Sequence, residues 1–101
     1  MAVRVFVRKL PRTLANLEDA KQLVRASGSV GANYIEANEA LSRKDFVMRI
    51  KICRKESKES CFFLRLLFLA DDNERESARA ALVQEATELT SIFGAIVRRS
   101  E

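Results

Sequence analysis

Apolar residues recur along this chain at steps of three and four, which is the period of an α-helix with one buried face. Val3, Phe6, Val7 and Leu10 form a first short stripe that stops before Pro11, a residue that disfavours helical backbone just ahead of it. After residues 11 to 15, Asn16 is placed to cap a second helix, with Glu18 and Asp19 in its first turn, where carboxylates suit the helix dipole. Its small and apolar positions Ala20, Leu23, Val24, Ser27, Val30, Gly31, Tyr34, Ala37 and Leu41 keep the period to about Leu41. The stretch from Ser27 to Gly31 forms helix poorly, yet the stripe resumes in phase beyond it. That predicts one continuous helix whose small residues allow close approach of a neighbour, with a break or bend at the glycines as the alternative.

Ser42 starts a third helix, and Asp45 stands where a capping box would place its acidic residue. Phe46, Ile50, Cys53, Ser57, Ser60, Leu64 and Leu67 repeat at alternating steps of four and three to about Leu69, the seam of a bundle helix. Phe62, Phe63, Leu66, Phe68 and Leu69 lie off that seam, so the last third of the helix is apolar nearly all round. In so small a chain this predicts burial against a second subunit. A polar turn at Asp71, Asp72 and Asn73 leads to a fourth helix, started by Asn73 with Glu76. Its inner face is Ala78, Leu82, Ala86, Leu89, Ile92, Phe93 and Ile96, and it ends near Arg98 and Arg99. Short turns between long helices favour antiparallel neighbours. The pattern therefore predicts an all-α, antiparallel up-down four-helix bundle with a short first helix, as one domain over residues 1 to 101.

Composition agrees: of 101 residues, 48% are apolar and 32% charged, with one proline and three glycines, which suits ordered helix. A chain of this size has a small core, and self-association would complete it. Residues 1 to 10 are broken by Arg4, Arg8 and Lys9 and resemble no signal peptide, and the apolar run from Cys61 to Ala70 contains Arg65 and is half a membrane span. The expectation is a cytoplasmic protein outside the membrane. Cys53 and Cys61 stand about 12 Å apart along one helix and cannot pair. They read as small buried hydrophobes in a reducing compartment.

The chain has no histidine, which removes the commonest general base and the imidazole ligand of most metal sites. Glu36 with Glu39 and Glu56 with Glu59 superficially resemble a carboxylate di-iron bundle, but the Glu-x-x-His elements of such sites are absent. Ionic pairing between helices, with Arg54, Lys55 and Lys58 as partners, is the plainer account. Gly28 and Gly31 follow no strand, and no phosphate loop is present. No enzyme, metal or cofactor is expected.

Charge adds a different possibility. The formal net charge of +4 divides into +7 over residues 1 to 58, from 13 Lys/Arg and 6 Asp/Glu, and −3 over residues 59 to 101, from 5 and 8. On the third helix Lys44, Lys51, Lys55 and Lys58 fall in a band, with Arg43, Arg49, Arg54 and Arg65 at other azimuths. A cationic band on a rigid helix can track phosphates. Glu56 and Glu59 interrupt it, and an ordinary solvated surface of mixed charge is the competing reading.

The stretch Gly28-Ser29-Val30-Gly31-Ala32-Asn33-Tyr34-Ile35-Glu36-Ala37, then Ser42-Arg43-Lys44-Asp45-Phe46 and Ile52-Cys53-Arg54-Lys55-Glu56-Ser57-Lys58-Glu59, resembles the four-helix-bundle family of proteins encoded in intervening sequences of bacterial 23S ribosomal RNA genes. The same fold family includes the accessory protein of diversity-generating retroelements. The signature covers roughly residues 16 to 70. The resemblance implies an antiparallel bundle assembled as a homopentamer, and, for retroelement members, binding to a reverse transcriptase and to nucleic acid. It also implies that Asn33, Glu36, Arg54, Lys55, Glu56 and Glu59 belong to a polar network within or between subunits, and that none is catalytic. The first helix is much shorter than the family's usual one, which would leave apolar surface open to a partner. Two functions follow as alternatives: a homo-oligomeric adaptor that binds RNA or DNA, with an enzyme acting on nucleic acid as its candidate partner, or a structural protein-interaction module.

Overall fold

A computed structural model describes residues 2 to 101. Four helices follow one another: α1 (Ala2–Arg8), α2 (Leu14–Asn38), α3 (Arg43–Leu66) and α4 (Asn73–Ser100). They form an all-α four-helix bundle. α3 is its middle member, packing on α2 along one side and on α4 along the other. α1 lies in the furrow between α2 and α4, whose backbones stay apart but whose side chains meet toward the other end, where the Tyr34 and Phe93 rings lie 6.2 Å from each other. The molecule is a rod of 46 × 19 × 18 Å, since an α4 of 28 residues is about 42 Å long at 1.5 Å per residue.

Each long helix begins at a side-chain cap that relieves one of its orphan N-H groups. The Thr13 hydroxyl accepts from the Asn16 N-H at 3.1 Å, the Ser42 hydroxyl from the Asp45 N-H at 3.1 Å, and the Asp72 carboxylate from the Arg75 N-H at 2.9 Å. Two caps differ from the sequence expectation. Thr13 rather than Asn16 opens α2, and Asp72 rather than Asn73 opens α4. α2 stops at Asn38, so Leu41 is left fully exposed in the connection. The helix runs unbroken through Gly28 and Gly31. Within the subunit, however, no neighbour approaches them: a Cβ on either glycine would meet nothing within 4 Å.

α3 also ends earlier than its apolar run, at Leu66, because Leu67 is in extended backbone (φ −68°, ψ 136°). Extended residues alternate sides. Leu67 and Leu69 accordingly enter the core while Phe68 points outward. Ala70 and Asp71, each at φ 57°, then reverse the chain. The extended segment satisfies its backbone through side chains. Asn16, almost wholly buried, donates its amide to Phe68 O at 2.9 Å and to Pro11 O at 3.0 Å and accepts from Phe68 N-H at 2.9 Å. The Arg79 guanidinium donates to Leu67 O at 2.7 Å, and Arg75 donates to Leu69 O at 3.4 Å while its Nε reaches Lys9 O, just past α1, at 2.8 Å.

The core is in two parts. Near the α1 end, Phe6, Leu23, Leu64, Leu67, Leu69 and Leu82 cluster, with Val3, Val7, Leu10 and Phe63 against them. Toward the other end, Ala37, Ile50, Cys53 and Phe93 form a smaller cluster with Val30, Phe46 and Leu89. Between them the buried side chains are small, with Ser57 and Ser60 beside Ala26 and Ala86. The Ser60 hydroxyl donates to Glu56 O at 2.9 Å, whereas the buried Ser57 hydroxyl has no partner. Past the first residues of α1 the furrow stays open as a cavity of about 330 Å³ lined by Ser27, Gly28, Ser57, Ser60, Ala86 and Leu89 among others. α4 is long and apolar enough to span a bilayer by length and composition; in the bundle its Leu82, Ala86 and Phe93 are buried, and Ile92, expected on the inner face, is exposed.

Candidate nucleic-acid interface

The polar residues singled out on α2 and α3 gather into two separate clusters. In the first, the Arg49 guanidinium donates to Asn33 Oδ1 at 3.1 Å and lies 3.7 Å from Glu36 and 3.9 Å from Asp45. Asn33 in turn donates to Ser29 O at 2.9 Å, which fixes its amide. This cluster ties the far end of α2 to the start of α3. In the second, Arg25 of α2 reaches across to α3, 2.7 Å from Glu59 and 3.4 Å from Glu56. Glu56 is buried, and a buried carboxylate needs a counter-charge. Its hydrogen bond and charge, ahead of those of Glu59, raise the Arg25 pKa above its ordinary value.

This second cluster changes the meaning of the acidic residues on α3. In the sequence Glu56 and Glu59 interrupt the basic band; in the fold both are turned to Arg25 on the neighbouring helix. Arg43, Lys44, Arg54, Lys55 and Lys58 have no carboxylate within 4.0 Å among the described residues, and all five are exposed. Of the other two basic candidates, Arg49 is engaged as above, and Lys51 is 3.1 Å from Glu101. Arg54 joins neither polar cluster. It extends toward α4 and lies over Gly94, where its Nε would stand 3.3 Å from a Cβ.

Arg25 was not singled out from the sequence because its role requires the register of α2 on α3. Its partners could have been suspected only by aligning antiparallel helices so that residue 25 faces residues 56 to 59. The same register brings Leu14 and Leu17 of α2 toward the end of α3 that carries Phe62 and Leu66. All four are exposed, as is Phe68, with Leu14 at 79% the most open. Phe63 is half-buried, 5.0 Å from Phe62 in an edge-on pair, and Leu69 is buried in the subunit's own core. An exposed apolar surface rimmed by polar residues is characteristic of a contact with another chain.

The two cysteines are free and buried, and desolvation raises the Cys53 thiol pKa. A protonated, enclosed thiol is a poor nucleophile. Among the described residues, no three His, Cys, Asp or Glu side chains converge as a metal site would require.

No protein-family model and no curated protein matches the chain. A solved structure does: a protein of unknown function from the S23 ribosomal protein family of Bacteroides thetaiotaomicron, with 27% sequence identity and a TM-score of 0.74, over 95% of this chain and 87% of that one. A link to the S23 family is supported. The similarity spans all four helices, so the basic surface of α3 and the exposed apolar end belong to a bundle of that type rather than to a separate module.

Proposed function

We propose that this protein is a non-catalytic, homo-oligomeric helical bundle that serves as an adaptor, binding RNA or DNA by its phosphate backbone along α3. The observation that carries the reading is the diversion of Glu56 and Glu59 to Arg25, which leaves Lys55 and Lys58 without a neutralising partner on the same helix. Free cations on a rigid surface attract phosphates without reading sequence. The exposed end at Phe62, Leu66 and Phe68 supplies the contact between subunits, and a closed ring would repeat the basic surface and raise avidity. The pentamer and a reverse transcriptase or other nucleic-acid enzyme as partner follow from the family resemblance, and a cytoplasmic location from the charged first residues and the two unpaired cysteines. An S23-family neighbour of unknown function is compatible with this reading.

Size-exclusion chromatography with light scattering, with and without a structured RNA, tests it. The protein should run as an oligomer that shifts with RNA at about 50 mM salt and not at several-fold higher salt. Lys55→Glu with Lys58→Glu should abolish the shift and leave the oligomer's mass unchanged. A wild-type protein indifferent to RNA at low salt would overturn nucleic-acid binding and favour the second reading, a protein-interaction module centred on the exposed apolar end.

A further inference from the structure

Gly94 occupies the interior of α4, where glycine is the least suitable residue apart from proline. Its surroundings show what a side chain there would displace. A Cβ would lie 3.3 Å from the Nε of Arg54, on α3, and 3.4 Å from Nη1 of Arg98, one turn further along α4. Two guanidinium groups from different helices thus converge on a single point of bare backbone. Neither has a carboxylate within 4.0 Å among the described residues. Lys51 and Val97 complete the walls of the cleft, with Lys51 held at its rim by Glu101.

The direction of Arg98 alone has an ordinary cause, since helical side chains lean toward the N-terminus. That lean does not account for Arg54 meeting it from the opposite helix without an acidic partner. Like charges placed together repel, and the arrangement is relieved when an anion sits between them. Guanidinium forks match the oxygens of a tetrahedral oxyanion better than any other common anion geometry except the carboxylate.

We propose that the cleft over Gly94, flanked by Arg54 and Arg98, is a binding subsite for a phosphate group, and that the phosphate it takes is a phosphodiester of a bound polynucleotide. The source of the phosphate rests on the nucleic-acid function proposed above; the anion site itself rests on the cleft. It adds α4 to the interface, because a strand lying along Lys55 and Lys58 would have to cross from α3 onto Arg98 to use it.

The test uses the full chain and two probes: inorganic phosphate followed by amide chemical shifts, and a fluorescent single-stranded uridine 20-mer followed by anisotropy across salt. Arg54→Gln with Arg98→Gln should weaken the 20-mer about tenfold at low salt and make the log-log salt dependence shallower by about 0.7, the value for one phosphate on a single strand. Gly94→Ala, whose methyl pushes both guanidiniums aside, should weaken it several-fold with helix content unchanged. Undiminished 20-mer binding by both variants would overturn the subsite while leaving the nucleic-acid reading standing. Phosphate-induced shifts at Gly94 and Arg98 in a protein that ignores the 20-mer would support the anion site and overturn the polynucleotide as its source. Silence with both probes would overturn both.

Discussion

At the scale of single residues, Asn16 shows how one side chain can hold together parts of the chain that helical periodicity says nothing about. Its amide makes three hydrogen bonds, to Pro11 O and to both backbone groups of Phe68, so it joins the α1–α2 connection to the extended segment after α3. Asn16→Ala strands a buried N-H and removes the donor to two carbonyls. An unsatisfied buried group costs about 1–3 kcal/mol, and a loss of about 2–4 kcal/mol in urea unfolding is expected, with helix content at low denaturant little changed. A loss below about 1 kcal/mol would mean that water replaces the amide and that the clamp is dispensable. In the sequence this residue reads as a helix cap, because Asn, Thr and Asp are all competent there. Local chemistry could not distinguish Thr13 from Asn16; burial against Phe68, 52 positions away, decides it.

At the scale of elements, the three long helices were legible because each keeps a 3.6-residue period over many turns, and neither Gly28 nor Gly31 disturbs α2. The end of α3 was not legible. From Cys61 to Leu69 every residue but Arg65 is apolar, and such a run has no face from which to tell helix from extended chain. The switch at Leu67 puts Leu69 inside and removes it from the surface available to a partner. The pairing of Arg25 with Glu56 and Glu59, like the approach of Arg54 to Gly94, depends on how helices are stacked sideways, which periodicity along one helix does not encode. For Gly28 and Gly31 a sharper expectation arises. With open space where each Cβ would be, alanine should stabilise an isolated subunit by about 0.5–1 kcal/mol per site, read as a raised melting temperature at high dilution. If another subunit's helix packs on this strip, the same changes should weaken self-association, seen as dissociation at higher concentration. Unaltered association would place the subunit contact elsewhere.

At the scale of the whole molecule, the exposed apolar surface lies toward one end of a rod while the cationic residues of α3 extend toward the other. That separation lets subunits join without covering the charges. Phe62→Glu with Leu66→Glu changes residues 57% and 51% exposed, at a cost to the subunit itself of about 1–2 kcal/mol from the lost edge-on contact with Phe63 and partial apolar burial. The expected outcome in light scattering is a folded monomer with unaltered circular dichroism; an oligomer of wild-type mass would exclude this end as the contact. The divided core has a further bearing on how the rod comes apart. With only small side chains, Ser57 and Ser60 beside Ala26 and Ala86, between two clusters of larger apolar residues, packing is thinnest at mid-length. Native-state hydrogen exchange should therefore resolve two opening free energies, the lower for amides around Ile50 and Phe93 and the higher for those around Leu23 and Leu64, so that the subunit unzips from the end remote from α1.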